Sequence, residues 1–330
     1  LSFKYLAKRI GVAILTLISV IVVMFFVLRI MPGDILEPMT REEANKFGIT
    51  YEEARTRVAN RYNYDPNESL LIQFEVYVAA LVKGDLGTSM INPNNTVTAI
   101  LANAMPWTLF VVSISLILSF IIGVKLGALM AIRKGFVNNI ITFYVTIVST
   151  LPSYIVALLL SLVFVYTLKL FPMAGVYSIG LKPGFNLEFI WDVIWHALLP
   201  IVTYVITSTG GWIIQMKGTS ISTLGEDYVF AAKARGLSEG IIRKKYMRKN
   251  AMIPLITTLA MAFGGMVGGS PLIESQFNYM GMGMYVSKAM NERDFTLYQG
   301  LLLCISVSVV IANLIADLLY VKLDPRIKMG

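Results

Sequence analysis

One cysteine and one histidine stand in a chain of 330 residues. Cys304 alone excludes an internal disulfide. Together with His196 it cannot assemble a Cys/His metal cluster. Charge is scarce as well: 15% of residues are charged against 56% hydrophobic, too apolar for a soluble domain of this length. The dipeptide Gly-Lys is absent, so no Walker A loop is present to cradle a nucleotide's phosphates. A His-Glu-x-x-His zinc helix is absent too. A membrane-embedded enzyme would need a nucleophile–base pair or a metal cluster, and neither is legible. An ion-coupled transporter or channel calls for acids or histidines at mid-membrane, and these are few. No internal repeat or low-complexity tract is visible.

What the chain has in quantity is long apolar runs. A helix satisfies its own backbone hydrogen bonds in lipid, and about 20 residues cross the hydrocarbon core. Six runs qualify, at about Ile10–Ile30, Pro106–Ile132, Ile140–Leu168, Trp191–Met216, Ala251–Leu272 and Tyr298–Val321. The first is too long for a signal-peptide core, and no small-residue cleavage site follows it, so it is read as a span. The expected fold is an all-α membrane protein with six transmembrane helices. Residues 1–30 hold the N-terminus and first span, 31–99 a long extracytoplasmic segment, and 100–330 a core of five spans with a cytoplasmic loop at about 217–250.

The formal net charge of +8 is unevenly spread, and its distribution favours a membrane over a nucleic acid. One set of loops carries Lys4, Lys8, Arg9, Arg133, Lys134, Lys217, Lys233, Arg235, Arg243, Lys244, Lys245, Arg248, Lys249, Lys322, Arg326 and Lys328. The segment after the first span carries Glu42, Glu43, Glu52, Glu53, Asp65, Glu68, Glu75 and Asp85 against fewer bases. Lys and Arg select the inner side. Both termini and the loop between spans four and five are therefore expected in the cytoplasm. In the outer segment, Arg41 to Asn60 reads as one polar surface helix. Leu70 to Val82 reads as a helix able to lay Phe74, Tyr77, Val78 and Leu81 on the membrane surface. Asn92-Pro-Asn-Asn95 is a turn signal. A solvated cap and a docking surface for an external partner both fit this segment.

The loop from Thr223 onward is the most informative. Thr223 and Glu226 have capping-box spacing, which predicts a helix start there. Ala231, Ala232 and Ala234 favour helix and keep it slim. Gly236 suits the left-handed position that ends a helix, and Ser238 with Glu239 can open another. The expectation is two short helices joined at Gly236-Leu237. A slim helix with a sharp glycine stop fits a groove on another protein; an ordinary positively charged inner loop fits the same spacing.

Glu226-Asp-Tyr-Val-x-x-Ala-x-Ala-Arg-Gly-Leu-Ser-Glu, continuing to Arg248-x-Asn250-Ala-x-x-Pro254, resembles the EAA loop of binding-protein-dependent ABC permeases. The oligopeptide/dipeptide permease B-type subfamily is the best match. The likeness runs along most of the chain. It includes Phe26-x-x-Arg29-x-x-Pro32-Gly-Asp34, Lys83-Gly-Asp-Leu-Gly-Thr-Ser89 and Glu274-x-x-Phe277. It continues through Gly281-x-Gly283, Arg293-Asp294, Gln299-Gly300 and Asn313-x-x-x-Asp317-x-x-Tyr320-x-x-x-Asp324-Pro-Arg-Ile327. Departures are Tyr246 where the family often has His, Thr296 where it often has Pro, and an apparent insertion near 39–60.

The resemblance implies a type I ABC importer permease fold and alternating access driven by partner ATPases. It implies a sister permease, two cytoplasmic ABC ATPase subunits and an extracytoplasmic solute-binding protein. ATP and Mg would sit on the ATPases, with no cofactor on this chain and no catalytic site of its own. Oligopeptides or dipeptides are the leading cargo; relatives carry oligosaccharides, nickel complexes or opines. The ATPase-coupling role falls on Glu226, Asp227, Ala231, Ala232, Arg235, Gly236 and Leu237. Gly264 with Gly268 and Gly265 with Gly269 are small-x-x-x-small pairs. Packing within the chain and an interface with the sister permease along the path both fit them, and the resemblance favours the second. Asn313 and Asp317 on span six read as a structural polar link. Pro152, Pro200 and Pro254 are candidate kinks. Trp107, Trp191, Trp195 and Trp212 read as interfacial anchors, with His196 beside two of them.

Overall fold

The computed structural model describes residues 3–30, 36–62, 68–90 and 92–323. Pro32 to Asp34, Asp65 and Asp324 to Ile327 lie outside the described residues. The helices are α1 (Phe3–Ile30), α2 (Glu37–Phe47), α3 (Tyr51–Tyr62), α4 (Leu70–Val82), α5 (Val97–Ile132), α6 (Phe136–Thr150) and α7 (Ser153–Thr167). They continue as α8 (Leu187–Leu224), α9 (Asp227–Ala234), α10 (Glu239–Gly268), α11 (Pro271–Gln276), α12 (Met282–Asn291) and α13 (Phe295–Leu323). Segments of α1, α5, α8, α10 and α13 are each long and apolar enough to cross a membrane.

The third expected span is not one straight helix. α6 and α7 meet at a bend of 103°. Pro152 lacks an amide hydrogen and pushes Leu151 out of the helical region, and Leu151 is extended there (φ −84°, ψ 127°). Pro200 and Pro254, by contrast, lie inside helices that run through them. The fifth span ends earlier than expected, at Gly268, because Gly269 takes φ +60°.

The outer segment differs from its reading in two ways. Arg41 to Asn60 is split into α2 and α3, with Gly48 left-handed at φ 62° closing α2. Thr50 and Glu53 then form a reciprocal capping box at 3.3 Å each way, the pairing that stabilises a helix start. Arg61 Nη2 joins Glu43 at 2.8 Å to tie the two helices together. On α4, Phe74 and Tyr77 face inward onto Phe25 of α1, Phe74 edge-on at 5.2 Å and Tyr77 stacked at 5.4 Å. The opposite face, with Leu71, Ile72 and Val76, is the exposed one. Packing on α1 thus claims the stripe expected to lie on the membrane.

The bundle core forms between α5 and α8. Trp212 is buried there, edge-on to Phe120 at 5.1 Å, not at an interface as expected. Gly123 makes the room, since a Cβ there would lie 2.3 Å from Trp212 Cβ. Trp191 and Trp195 stack at 6.2 Å near the N-terminal end of α8. His196 is buried beside them, and its Nδ1 lies 2.8 Å from Asp192 O.

Candidate functional site: a loop and a knot at the two ends of the bundle

Two regions concentrate the motif residues, one at each end of the bundle. At one end α8 runs on to Leu224, and the chain turns at Gly225. Thr223 belongs to α8, where its hydroxyl donates to Thr219 O at 2.7 Å. The expected Thr223 capping box therefore does not form, and Glu226 is the N-cap of α9. The helix stop at Gly236 is as expected. Its φ is +74°, and Leu237 N donates to Ala232 O while Gly236 N donates to Lys233 O. These bonds close the last turn in the manner of a Schellman motif.

The second helix of the loop is not short. It begins at Glu239 and continues without interruption to Gly268, so the loop is rooted directly in a span. Val229, Ala232 and Ile242 are buried together, with Leu224, Tyr228, Leu237 and Tyr246 packed around them. Tyr228 and Tyr246 stack at 6.4 Å. This small core fixes α9 against α10. Ala232 and Leu237 are thus used inside the chain, and Glu226, Asp227, Ala231, Arg235 and Gly236 form the open face. Among the described residues no salt bridge closes on Glu226, Asp227 or Arg235.

Sequence reasoning passed over Phe230. It is 58% exposed on the same open face, with Lys233 Nζ 5.7 Å from its ring centre. The signal was available, because Asp227, Phe230, Ala231 and Ala234 share helical spacing. An aromatic ring exposed between two alanines, flanked by acids and an arginine, is a knob of the kind protein interfaces bury.

At the opposite end α11 and α12 fold back against the bundle and are pinned by Glu274. This carboxylate is fully buried. It accepts from Thr108 Oγ1 of α5 at 3.2 Å, Tyr204 Oη of α8 at 3.3 Å and Ser270 N at 3.4 Å. It also accepts from Gly283 N at 2.9 Å and Met284 N at 3.3 Å, the first turn of α12, where the helix dipole favours an anion. Thr108 Oγ1 in turn accepts from Met282 N at 2.7 Å. A Cβ on Gly269 or Gly281 would stand 2.0 or 2.3 Å from the carboxylate, so both positions must be glycine for the chain to approach. Burial outweighs all these donors and pushes the Glu274 carboxyl up to about 7.

Past the C-terminal end of α12, Asp294 is also fully buried. It accepts from Ser89 Oγ at 2.5 Å and caps α13 through Leu297 N at 2.9 Å. Motif segments more than two hundred positions apart thereby meet.

The chain matches the model of the family described as "binding-protein-dependent transport system inner membrane component" over residues 123–329. The match covers more than half of its length. The chain belongs to this family. Curated relatives align along essentially the whole of both partners. An oligopeptide transport system permease protein of Haemophilus influenzae is 30% identical, covering 98% of this chain and 99% of its own. A putative peptide permease protein of Brucella suis is 28% identical, covering 99% of each. An oligopeptide transport system permease protein of Bacillus subtilis is 28% identical over 98% of this chain and 99% of its own. The chain is accordingly a multi-pass inner-membrane permease subunit of an ABC importer.

In this permease the expected path residues separate. Gly264 packs against span six, where a Cβ would meet Ala312 Cβ at 2.2 Å, and Gly268 faces Ile305 of the same helix. Gly269 serves the Glu274 knot. Gly265 alone opens outward, with nothing within 4 Å of a Cβ placed there. Asp317 bonds Arg9 Nη1 of α1 at 2.8 Å, so the polar link of span six runs to span one. Asn313 is exposed one turn away.

Proposed function

We propose that this permease forms half of a peptide import pathway. It pairs with a sister permease, two cytoplasmic ATPases that bind ATP and Mg, and an extracytoplasmic solute-binding protein. The full-length likeness to oligopeptide and dipeptide permeases supports the cargo. The open face of α9 carries the coupling reading. Glu226, Asp227, Phe230, Ala231 and Arg235 are presented around the Gly236 stop, and the loop is joined through α10 to the transmembrane bundle. Its free charges can make charge-assisted hydrogen bonds across an interface. Both termini lie in the cytoplasm in this reading, as the basic loops require.

In the cycle that follows, ATP draws the two ATPases together and the seated α9 helices move with them. The bundle then opens outward to receive peptide from the binding protein. Hydrolysis returns it inward. The test is ATP-driven uptake in liposomes by the co-purified complex, comparing peptide and oligosaccharide, each with its binding protein. Peptide uptake that vanishes in a correctly assembled Gly236→Trp complex supports both cargo and coupling. Normal uptake in that variant sinks the close-fitting α9, and uptake of oligosaccharide alone sinks the cargo.

A further inference from the structure

Three spans share an uncharged polar face. On α6, Asn139, Thr142, Thr146, Ser149 and Thr150 follow helical spacing and are exposed. The same helix exposes Phe136, Ile140, Phe143 and Ile147 along a separate stripe, which suits lipid. On α8, exposed Ser208, Gly211 and Gly218 align with half-buried Gln215 at spacings of three and four. On α10, Thr258 meets this face, accepting from Gln215 Nε2 at 2.9 Å.

These stripes join into one wall. Tyr144 Oη of α6 donates to Ile206 O of α8 at 2.7 Å, and Ser149 Oγ lies 3.6 Å from a Cβ built on Gly210. Ile141 and Val145 of α6 cluster with Ile213 of α8 while Ser149 approaches Gly210, so the two helices meet antiparallel along this edge. The Gln215–Thr258 bond extends the wall to α10. No charged residue occurs in 139–150, 203–216 or 251–270, so the wall is uncharged through the depth of the membrane. Thr142, Thr146 and Thr150 each donate to the carbonyl one turn back, at 2.8, 2.9 and 3.1 Å. That leaves their oxygen lone pairs outward as acceptors. Gln215 adds an amide able both to donate and to accept.

We propose that this wall lines the translocation path and reads the peptide backbone of the cargo through amide hydrogen bonds. The inference rests on the peptide-import reading above. A wall of hydroxyls, amide and glycine offers partners to the backbone N–H and C=O that every peptide carries. Lacking charge, it neither traps nor repels acidic or basic side chains, so it passes varied sequences.

The test uses the assembled importer with Cys304→Ser and single cysteines at Thr146, Ser208 and Thr258, with Phe143→Cys as the lipid-side control. A charged, membrane-impermeant thiol reagent is expected to modify the three wall positions and to leave Phe143→Cys unmodified. Transported peptide, supplied with binding protein and ATP, should slow the wall reactions several-fold. Absence of reaction at all three, with normal peptide uptake in the Cys304→Ser complex, overturns the wall and leaves the import reading intact. Efficient crosslinking of all three to the sister permease without labelling also overturns it, making the face a subunit interface. Labelled wall cysteines in a complex that imports only non-peptide solute overturn the backbone reading together with the cargo. Charge placed on the wall gives a second readout. Thr146→Asp and Thr146→Lys should shift the uptake ratio of acidic to basic peptides several-fold in opposite directions, and an equal loss for both peptides refutes the proposal.

Discussion

Glu274→Gln isolates the consequence of burying a lone carboxyl at the outer end of the bundle. Glutamine keeps the shape of the protonated acid and cannot ionise. In the wild type, burial holds the carboxyl near 7 against an ordinary value of 4.5. A group whose folded pKa is raised contributes stability that is fully present below its unfolded value and is lost as pH rises through the folded one. The window is therefore about pH 4.5 to 7. At about 1.4 kcal/mol per unit, the full swing is about 3 kcal/mol. For a chain of this size that is a fall in melting temperature on the order of 5 °C.

The assay is thermal unfolding of the purified complex from pH 5 to pH 9, with wild type and Glu274→Gln run side by side. Other groups titrate alike in both, so the difference curve reports Glu274. The two proteins should approach one another at the acid end. They should diverge as pH rises to about 7 and hold a constant difference above it, with the variant less sensitive to pH. Parallel curves across the whole range would refute the argument, because they would mean that the donors from α5, α8 and α12 already hold the carboxylate at an ordinary pKa. Glu274→Leu serves as the contrasting case. It leaves the amides of Gly283 and Met284 without their acceptor, each at about 1–3 kcal/mol, and should destabilise at every pH.

Gly264→Val should lower the melting temperature, at about 1–3 kcal/mol for overpacking against Ala312, whereas Gly265→Ala, with open space around it, should leave it unchanged. Arg9→Ala and Asp317→Asn should each cost little, about 1 kcal/mol or less for a half-exposed pair, and a double-mutant cycle in melting temperature should show coupling between the two sites. Thr50→Ala removes half of a capping box, at about 1 kcal/mol, and should raise amide exchange across Tyr51–Tyr62 without altering uptake of peptide delivered by the binding protein.

Most of the fold is legible because lipid makes the rule simple: apolar length reads as a span. Five of the six expected spans are long apolar helices. The exception turns on a local effect, since apolar length carries no information about the 103° bend at Pro152. The Gly236 stop is legible for a related reason, as few residues other than glycine adopt φ +74° without strain. The Thr223 capping box misleads because a threonine at the end of a long helix can bond backward to Thr219 instead. Glu274 was visible as a motif residue, yet its role was not. Its partners come from α5, α8 and α12, and a tertiary knot of that kind has no period in sequence. Phe230 was missed for the opposite reason: apolar residues are counted as core until a structure leaves one exposed.

The continuity of α10 gives these pieces a mechanical relation. Thirty residues of helix at 1.5 Å each make a rod of about 45 Å. Its inner end is locked to α9 by the Val229–Ala232–Ile242 core. Its outer end stops at Gly269, against the carboxylate that pins α11 and α12. Two-thirds of the way along, Thr258 takes the bond from Gln215. A force applied to the open face of α9 therefore has a stiff route past the polar wall to the outer knot. The knot is the part with least slack, because Gly269, Gly281 and Glu274 leave no space for an added methyl. Displacement of the rod must either carry α11 and α12 with it or break hydrogen bonds at Glu274. Either response couples the two membrane faces through this one chain. Cysteines at Pro271 and Ser287, where Ser287 Oγ donates to Pro271 O at 3.1 Å, distinguish them. A crosslink that preserves ATP-driven uptake means the knot travels as a unit, and one that abolishes it means the knot opens.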